Sequence, residues 1–197
     1  QEHMPPHDLP MTMLGAGLLW FGWFGFNAGS ALSSGSLATM AFVTTHTAAV
    51  SGTLTWTFVE WFHRGKPTLF GAATGAIAGL ATITPAAGFV GPMPALFIGM
   101  VAGVLCYIAL NAKVKLKYDD SLDAFGVHGV GGVLGTIMAG VFASIAINAA
   151  GANGLLFGNP KQFAVQAGSV VLVAVYSFVV STALFMIIDK VMGLRVD

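Results

Sequence analysis

Charge is what this chain most lacks: eight Lys and Arg and eight Asp and Glu stand among 197 residues, 8% of the sequence, against roughly 25% in ordinary soluble domains. So few charges cannot coat the exterior of a water-soluble globule of this length, which argues against the soluble class. The formal net charge is zero and there is no basic tract, so nucleic acid has no electrostatic handle. Cysteine is as scarce: Cys106 stands alone in an apolar run and rules out an internal disulfide. The first ten residues, QEHMPPHDLP, have neither a basic nor an apolar signal-peptide region. A start at Gln1 rather than Met reads as a piece of a longer protein. No HExxH, paired carboxylates or nucleophile–base pair occurs, so neither an enzyme nor a metal or other cofactor is expected.

What fills the chain instead is apolar: 56% of residues are hydrophobic. Six runs are candidate membrane spans: Leu9 to Leu32, Leu37 to Phe62, Thr68 to Thr84, Pro94 to Ala112, Ser121 to Ile147 and Phe163 to Ile188. Turn chemistry separates them, in SSGS, HRGKP, PAAGFVGPMP, KVKLKYDD and NAAGANGLLFGNPK. The reading is an all-α membrane protein, with residues 1–197 as one transmembrane domain in the lipid bilayer. Arg64 and Lys66 fall in the second break, Lys113, Lys115 and Lys117 in the fourth, and Lys190 and Arg195 after or at the end of the last span; only Lys161 is opposite. The positive-inside rule then predicts both ends of this segment in the cytoplasm.

Within the fifth span, the near-charge-free stretch from Ala124 to Ile147 carries one ionisable side chain, His128, in DAFGVHGVGGVLG. An ionisable group inside a membrane span is a functional candidate by default. Counted from Asp120 at 1.5 Å per residue, it is expected about 12 Å along its helix. Ala124 one turn earlier and Gly129, Gly131 and Gly132 keep the surroundings small. The 26 glycines recur at four-residue spacing, as in Gly71, Gly75 and Gly79, Gly99 and Gly103, and Gly131 and Gly135. These are expected to let helix backbones approach.

On the first span Leu19, Trp23, Phe26 and Ser30 share one helix face, beside a glycine stripe of Gly22, Gly25 and Gly29. By spacing alone the aromatics read as core or interfacial packing. A ring beside a hydroxyl also has the makings of a small-cation site. Elsewhere His46, among Thr44, Thr45 and Thr47, is expected to be an interhelical histidine hydrogen-bonded by its neighbours. Asp120 and Asp123 read as N-cap and first-turn acid of the His128 helix. Glu60 and Arg64 read as an i, i+4 ion pair, and Thr84 before Pro85 as a helix end.

Taken in order and spacing, FGWFGFNAGSAL, EWFHRGKPTLFGAATGAIAGL, TPAAGFVGP and DAFGVHGVGGVLGTIMAGVFA closely resemble the second half of ammonium transporters of the Amt/MEP/Rh family. The resemblance implies helices six to eleven of an eleven-helix fold built from two inverted halves, a homotrimer with one pore per subunit, and ammonium or methylammonium as substrate. It implies an outer site and gate with shares from Trp23, Phe26 and Ser30, and a pore lined or gated by Leu19, Phe26, Ala124 and His128. Thr84 takes a minor lining role near the pore mouth. The other pore histidine, an acidic residue under the outer site and a second gate phenylalanine belong to the family's first half. By the same resemblance the protein sits in the plasma membrane, and the cytoplasmic tail that meets regulators lies beyond GLRVD. An ammonium sensor and an inactive truncated fragment are the alternatives.

Overall fold

The structure, a computed structural model, describes residues 5–194. Gln1 and Arg195, both used in the sequence reading, lie outside the described residues. Six α-helices occupy the six expected spans: α1 (Leu9–Gly29), α2 (Ser36–Arg64), α3 (Leu69–Ile83), α4 (Pro92–Leu116), α5 (Val130–Phe142) and α6 (Pro160–Met192). A π-helical turn, Phe125–Gly129, leads into α5, and a short 3-10 turn, Leu155–Phe157, precedes α6. The starts follow local chemistry. Asp8 accepts from the Met11 amide at 2.8 Å with Pro10 in the first turn, and Asn159 accepts from Gln162 with Pro160 at the first position.

Four of the helical stretches are long and apolar enough to cross a membrane, namely α1, α4, the Phe125–Phe142 run and α6. The other two do not meet that measure, α3 because its span is short, as the 17 residues from Thr68 to Thr84 already indicate. At 15 residues, α3 reaches only about 22 Å, short of a hydrocarbon core of roughly 30 Å. By contrast α2 is long but polar, with Thr44, Thr45, Ser51 and Glu60 buried. Its hydroxyls are satisfied within the helix: Thr45 donates to the Ala41 carbonyl at 2.6 Å, Thr53 to Ala49 at 2.8 Å and Thr57 to Thr53 at 2.7 Å. Thr44 also donates across to the Ala87 carbonyl, at 2.8 Å.

Helices α2, α3 and α4 form the packed centre, and glycine makes that possible. A Cβ on Gly79 would stand 2.2 Å from the Ala48 carbonyl oxygen, and one on Gly99 2.3 Å from the same atom. Backbone of α2 therefore touches backbone of both neighbours, the close approach anticipated from the four-residue spacing. Leu80, Ile83, Val90 and Ile98 are fully buried around it. In contrast α1 and α6 contain no buried residue.

The connections alternate between two ends, as the expected topology requires. A cavity of about 610 Å³ is lined by Pro5, Arg64, Thr68, Lys113, Lys117 and Asp120 among others, so the start of α1, the α2–α3 turn and the α4–α5 connection meet at one end. At the other end the Ser144 amide donates to the Phe89 carbonyl at 2.9 Å, joining the segment after α5 to the α3–α4 connection.

Glu60 does pair with Arg64 at i, i+4, but its closer bonds are to Thr68. Its carboxylate is buried and accepts from the Thr68 amide at 2.9 Å and the Thr68 hydroxyl at 3.0 Å, while the half-exposed Arg64 guanidinium stays at 3.8 Å. Thr68 in turn caps α3 by accepting from the Gly71 amide, and a Cβ on Gly71 would fall 2.1 Å from Glu60 Oε2. The carboxylate thus pins the turn between α2 and α3. Glu60→Ala is expected to destabilise the protein by about 2 kcal/mol, because two donors lose a charged acceptor. Arg64→Ala should cost no more than about 1 kcal/mol. Melting curves in detergent that rank the two in the opposite order would restore the ion-pair reading.

Candidate functional site

An open apolar groove of about 460 Å³ runs along the outer face of α1, lined by Gly15, Leu18, Leu19, Gly22, Trp23 and Phe26. Leu19 and Phe26 are 54% and 61% exposed, so the residues expected to line a conduit face outward from the bundle. Trp23 differs from its stripe partners in being fixed from behind. Its indole N–H donates to the Thr84 hydroxyl at 2.8 Å, and its ring packs against the buried cluster of Trp56, Ala78, Ala81 and Cys106. Two helix turns of one sequence and the end of another are thereby tied together. A second tie holds α1 to α2, where the Asn27 amide donates to Thr45 Oγ1 at 3.0 Å.

Around Trp23 the rings of three expected residues converge. Phe26 meets it edge-on, with centroids 6.1 Å apart and planes at 89°, and His128 lies parallel to it at 6.4 Å and 7°. The resulting row of Phe26, Trp23 and His128 crosses from α1 to the π-helical turn. Ser30 stands at the end of α1, exposed, and its hydroxyl donates to the Phe26 carbonyl at 2.6 Å. That bond uses the hydroxyl proton and leaves oxygen lone pairs, so Ser30 can act toward a ligand as an acceptor.

His128 is exposed and sits in the π-helical turn, which places it one turn into its helix rather than the eight residues counted from Asp120. The reason is local. Asp120 remains outside the helix, and its carboxylate accepts from three successive amides, Ala124 at 2.9 Å, Phe125 at 3.0 Å and Gly126 at 3.3 Å. This is the expected cap, made wider by the π turn. Ala124 opens that turn and is itself exposed. Asp123 is not a first-turn acid: it has φ 58° and pairs with the Lys113 ammonium, which also donates to the Asp120 carbonyl at 2.7 Å. Gly126 fits beneath Leu110, where a Cβ would come within 2.5 Å of its methyl. Sequence reasoning missed both the π turn and the Lys113 clasp; only the unusual density of glycine around His128 hinted at a backbone departure.

His46 also departs from expectation. Its threonine neighbours give their hydroxyls to backbone carbonyls, Thr45 to Ala41, Thr47 to Val43 and Thr44 to Met40 or Ala87. The imidazole instead faces the rings of Trp20 and Phe24 on α1, at 5.5 and 6.0 Å between centroids. It is a partner of the α1–α2 aromatic contact and lies apart from the Phe26–Trp23–His128 row.

Comparison with known proteins identifies the fold and the family. An ammonium transporter from Aquifex aeolicus is 48% identical over 193 residues, covering 98% of this chain and 45% of the relative. Ammonium transporter Amt1 of Archaeoglobus fulgidus is 47% identical over 192 residues, 98% of this chain and 48% of the relative. Among solved structures, Saccharomyces cerevisiae Mep2 superposes with a TM-score of 0.94 at 35% identity, over 98% of this chain and 45% of that one. A structure described as a sensor Amt protein superposes with a TM-score of 0.88 at 33% identity, over 97% and 46%. The chain therefore spans about half the length of the relatives it matches. The profile of the Ammonium Transporter Family matches residues 1–197 throughout, and with the helical order and the six-helix superposition it establishes that the chain belongs to that family.

Proposed function

We propose that this chain supplies one wall of an ammonium-conducting pore, with cation recruitment at Trp23, Phe26 and Ser30 and passage of neutral ammonia along Leu19, Phe26, Ala124 and His128. The observation that carries the reading is the row of Phe26, Trp23 and His128, in which the apolar groove lined by Leu19, Trp23 and Phe26 meets the exposed imidazole. Such a face is unsuited to lipid, because the imidazole needs hydrogen-bond partners, and unsuited to a bare cation along its length, because only its outer end offers a ring and an acceptor oxygen. Ammonia suits it, since imidazole donates from one nitrogen and accepts at the other. The second wall is the family's first half, which faces this one across the pore, as in inverted-repeat transporters generally.

The same reading makes the complete protein a multi-pass plasma-membrane homotrimer, with residues 1–197 as one transmembrane domain whose two ends lie in the cytoplasm. Its substrates are ammonium and methylammonium. Sensing is the second reading, favoured by the likeness to a sensor Amt protein; there, binding at Phe26 and Ser30 is the output and flux is secondary.

In the full-length protein reconstituted in liposomes, Ser30→Ala should weaken apparent ammonium affinity about fivefold, the equivalent of roughly 1 kcal/mol for one lost hydrogen bond. Phe26→Ala should change flux and relax discrimination against other solutes. If affinity and flux are both unaltered in the two variants, the stripe is packing and the proposal fails.

A further inference from the structure

Thr84 lies at the end of α3 with its hydroxyl proton committed. The proton goes to the Leu80 carbonyl at 2.8 Å, and the oxygen accepts the Trp23 indole N–H at 2.8 Å. A hydroxyl has one proton to give, so this one cannot donate to a passing ammonia while the Leu80 bond stands. Its position is also rigid. Pro85 follows it, and α5 abuts the last turn of α3 so closely that a Cβ on Gly135 would sit 1.9 Å from the Thr82 carbonyl oxygen and 3.1 Å from the Pro85 ring. A hydroxyl clamped in this way is a fixed peg on which the large indole hangs.

The indole is the plate between two other rings, Phe26 in the groove and His128 beside it: its plane is parallel to that of His128 and perpendicular to that of Phe26. Its helix, α1, has no buried residue, so beyond its packing on the Trp56–Cys106 cluster the indole is oriented by this one hydrogen bond. Without the peg, the Trp23 side chain could swing about its first two torsions into the open groove. We infer that Thr84 is a positioning residue: it acts through the indole N–H of Trp23 to fix the ring plane against which His128 and Phe26 are set, and it thereby tunes which small amines pass. The inference rests on the pore reading above for its transport consequence, and on geometry alone for its structural one.

The test uses the full-length protein labelled with 5-fluorotryptophan, with the Trp23 signal assigned by its loss in Trp23→Phe. Thr84→Val should move the Trp23 fluorine resonance, and Thr84→Ser should return it. In liposomes Thr84→Val should change the ratio of ammonium to methylammonium flux at least threefold, with Thr84→Ser close to the unmodified protein. In a Trp23→Phe background, where no indole N–H remains, Thr84→Val should have no further effect on the ratio. Should the valine variant not fold, Thr84→Ala removes the same hydroxyl. An unmoved Trp23 resonance overturns the inference, and so does a flux ratio that shifts equally with or without the indole. A full-length protein that carries no ammonium defeats the pore reading instead, and the resonance comparison still decides the role of Thr84.

Discussion

Liposomes containing residues 1–197 alone are expected to take up no methylammonium above the protein-free background, whereas the full-length protein is expected to give saturable uptake. The expectation follows from what the bundle leaves open. Leu19 and Phe26 are more than half exposed, the groove they line is open along one side, and His128 is exposed beside it. A path through a bilayer has to be shielded from lipid on all sides, because lipid tails entering a one-sided groove would fill it and satisfy none of its polar atoms. The packed centre of α2, α3 and α4 is complete without further chain, so the six helices are expected to keep their helical content when expressed alone. Measuring circular dichroism and uptake on the same preparation separates a folded, inactive half from an unfolded one. Saturable uptake by the 197 residues alone would mean that copies of this half can close a pore on themselves.

His128→Leu in the full-length protein is expected to leave assembly and melting unchanged and to lower ammonium-driven flux about tenfold or alter its proton coupling. Tenfold corresponds to roughly 1.4 kcal/mol in a barrier, the scale of one hydrogen bond offered to ammonia along the path. Leucine approximates the volume of imidazole but can neither donate nor accept. The imbalance between flux and stability follows from location. His128 stands outside the buried clusters, with its ring beside Trp23, while the turn that carries it is secured by backbone bonds to Asp120 that leucine would not touch. A histidine needed for packing would give the reverse, lost melting temperature with normal flux per folded molecule. Selective and identically proton-coupled flux in the leucine variant would remove His128 from the mechanism.

How far each of these features could be read from the residues depended on its range. The six helices were legible because apolar runs and the turn residues between them are local signals, and α1 begins at Leu9 as expected. Glycines at four-residue spacing foretold the contact of α2 with α3 and α4 because a missing side chain has one main use between helices. The row of Phe26, Trp23 and His128 was half legible. Helical spacing placed Trp23 and Phe26 on one face, but nothing in the order of residues could bring His128, a hundred positions later, parallel to the indole. That needed the family resemblance. The partner of Trp23 was illegible for the same reason, since Thr84 before a proline looks like any helix end. Glu60 was assigned to Arg64 because i, i+4 spacing is visible in a sequence, whereas the competing acceptor geometry with Thr68 arises only once the chain turns back. The π-helical turn at His128 leaves no periodic trace, since five residues are too few to establish a period.

The pairing of a polar α2 with a short α3 bears on how the protein enters its membrane. Neither helix is a good guest for lipid by itself: one carries buried hydroxyls and a carboxylate along its length, and the other does not reach across the hydrocarbon. Each is completed by the other and by α4 through backbone contact, with Glu60 locking the turn between them. These features predict a joint insertion, with α2 and α3 entering as a hairpin that the strongly apolar α4 then shelters, so that the order of synthesis from α2 to α4 is expected to be an order of protection as well.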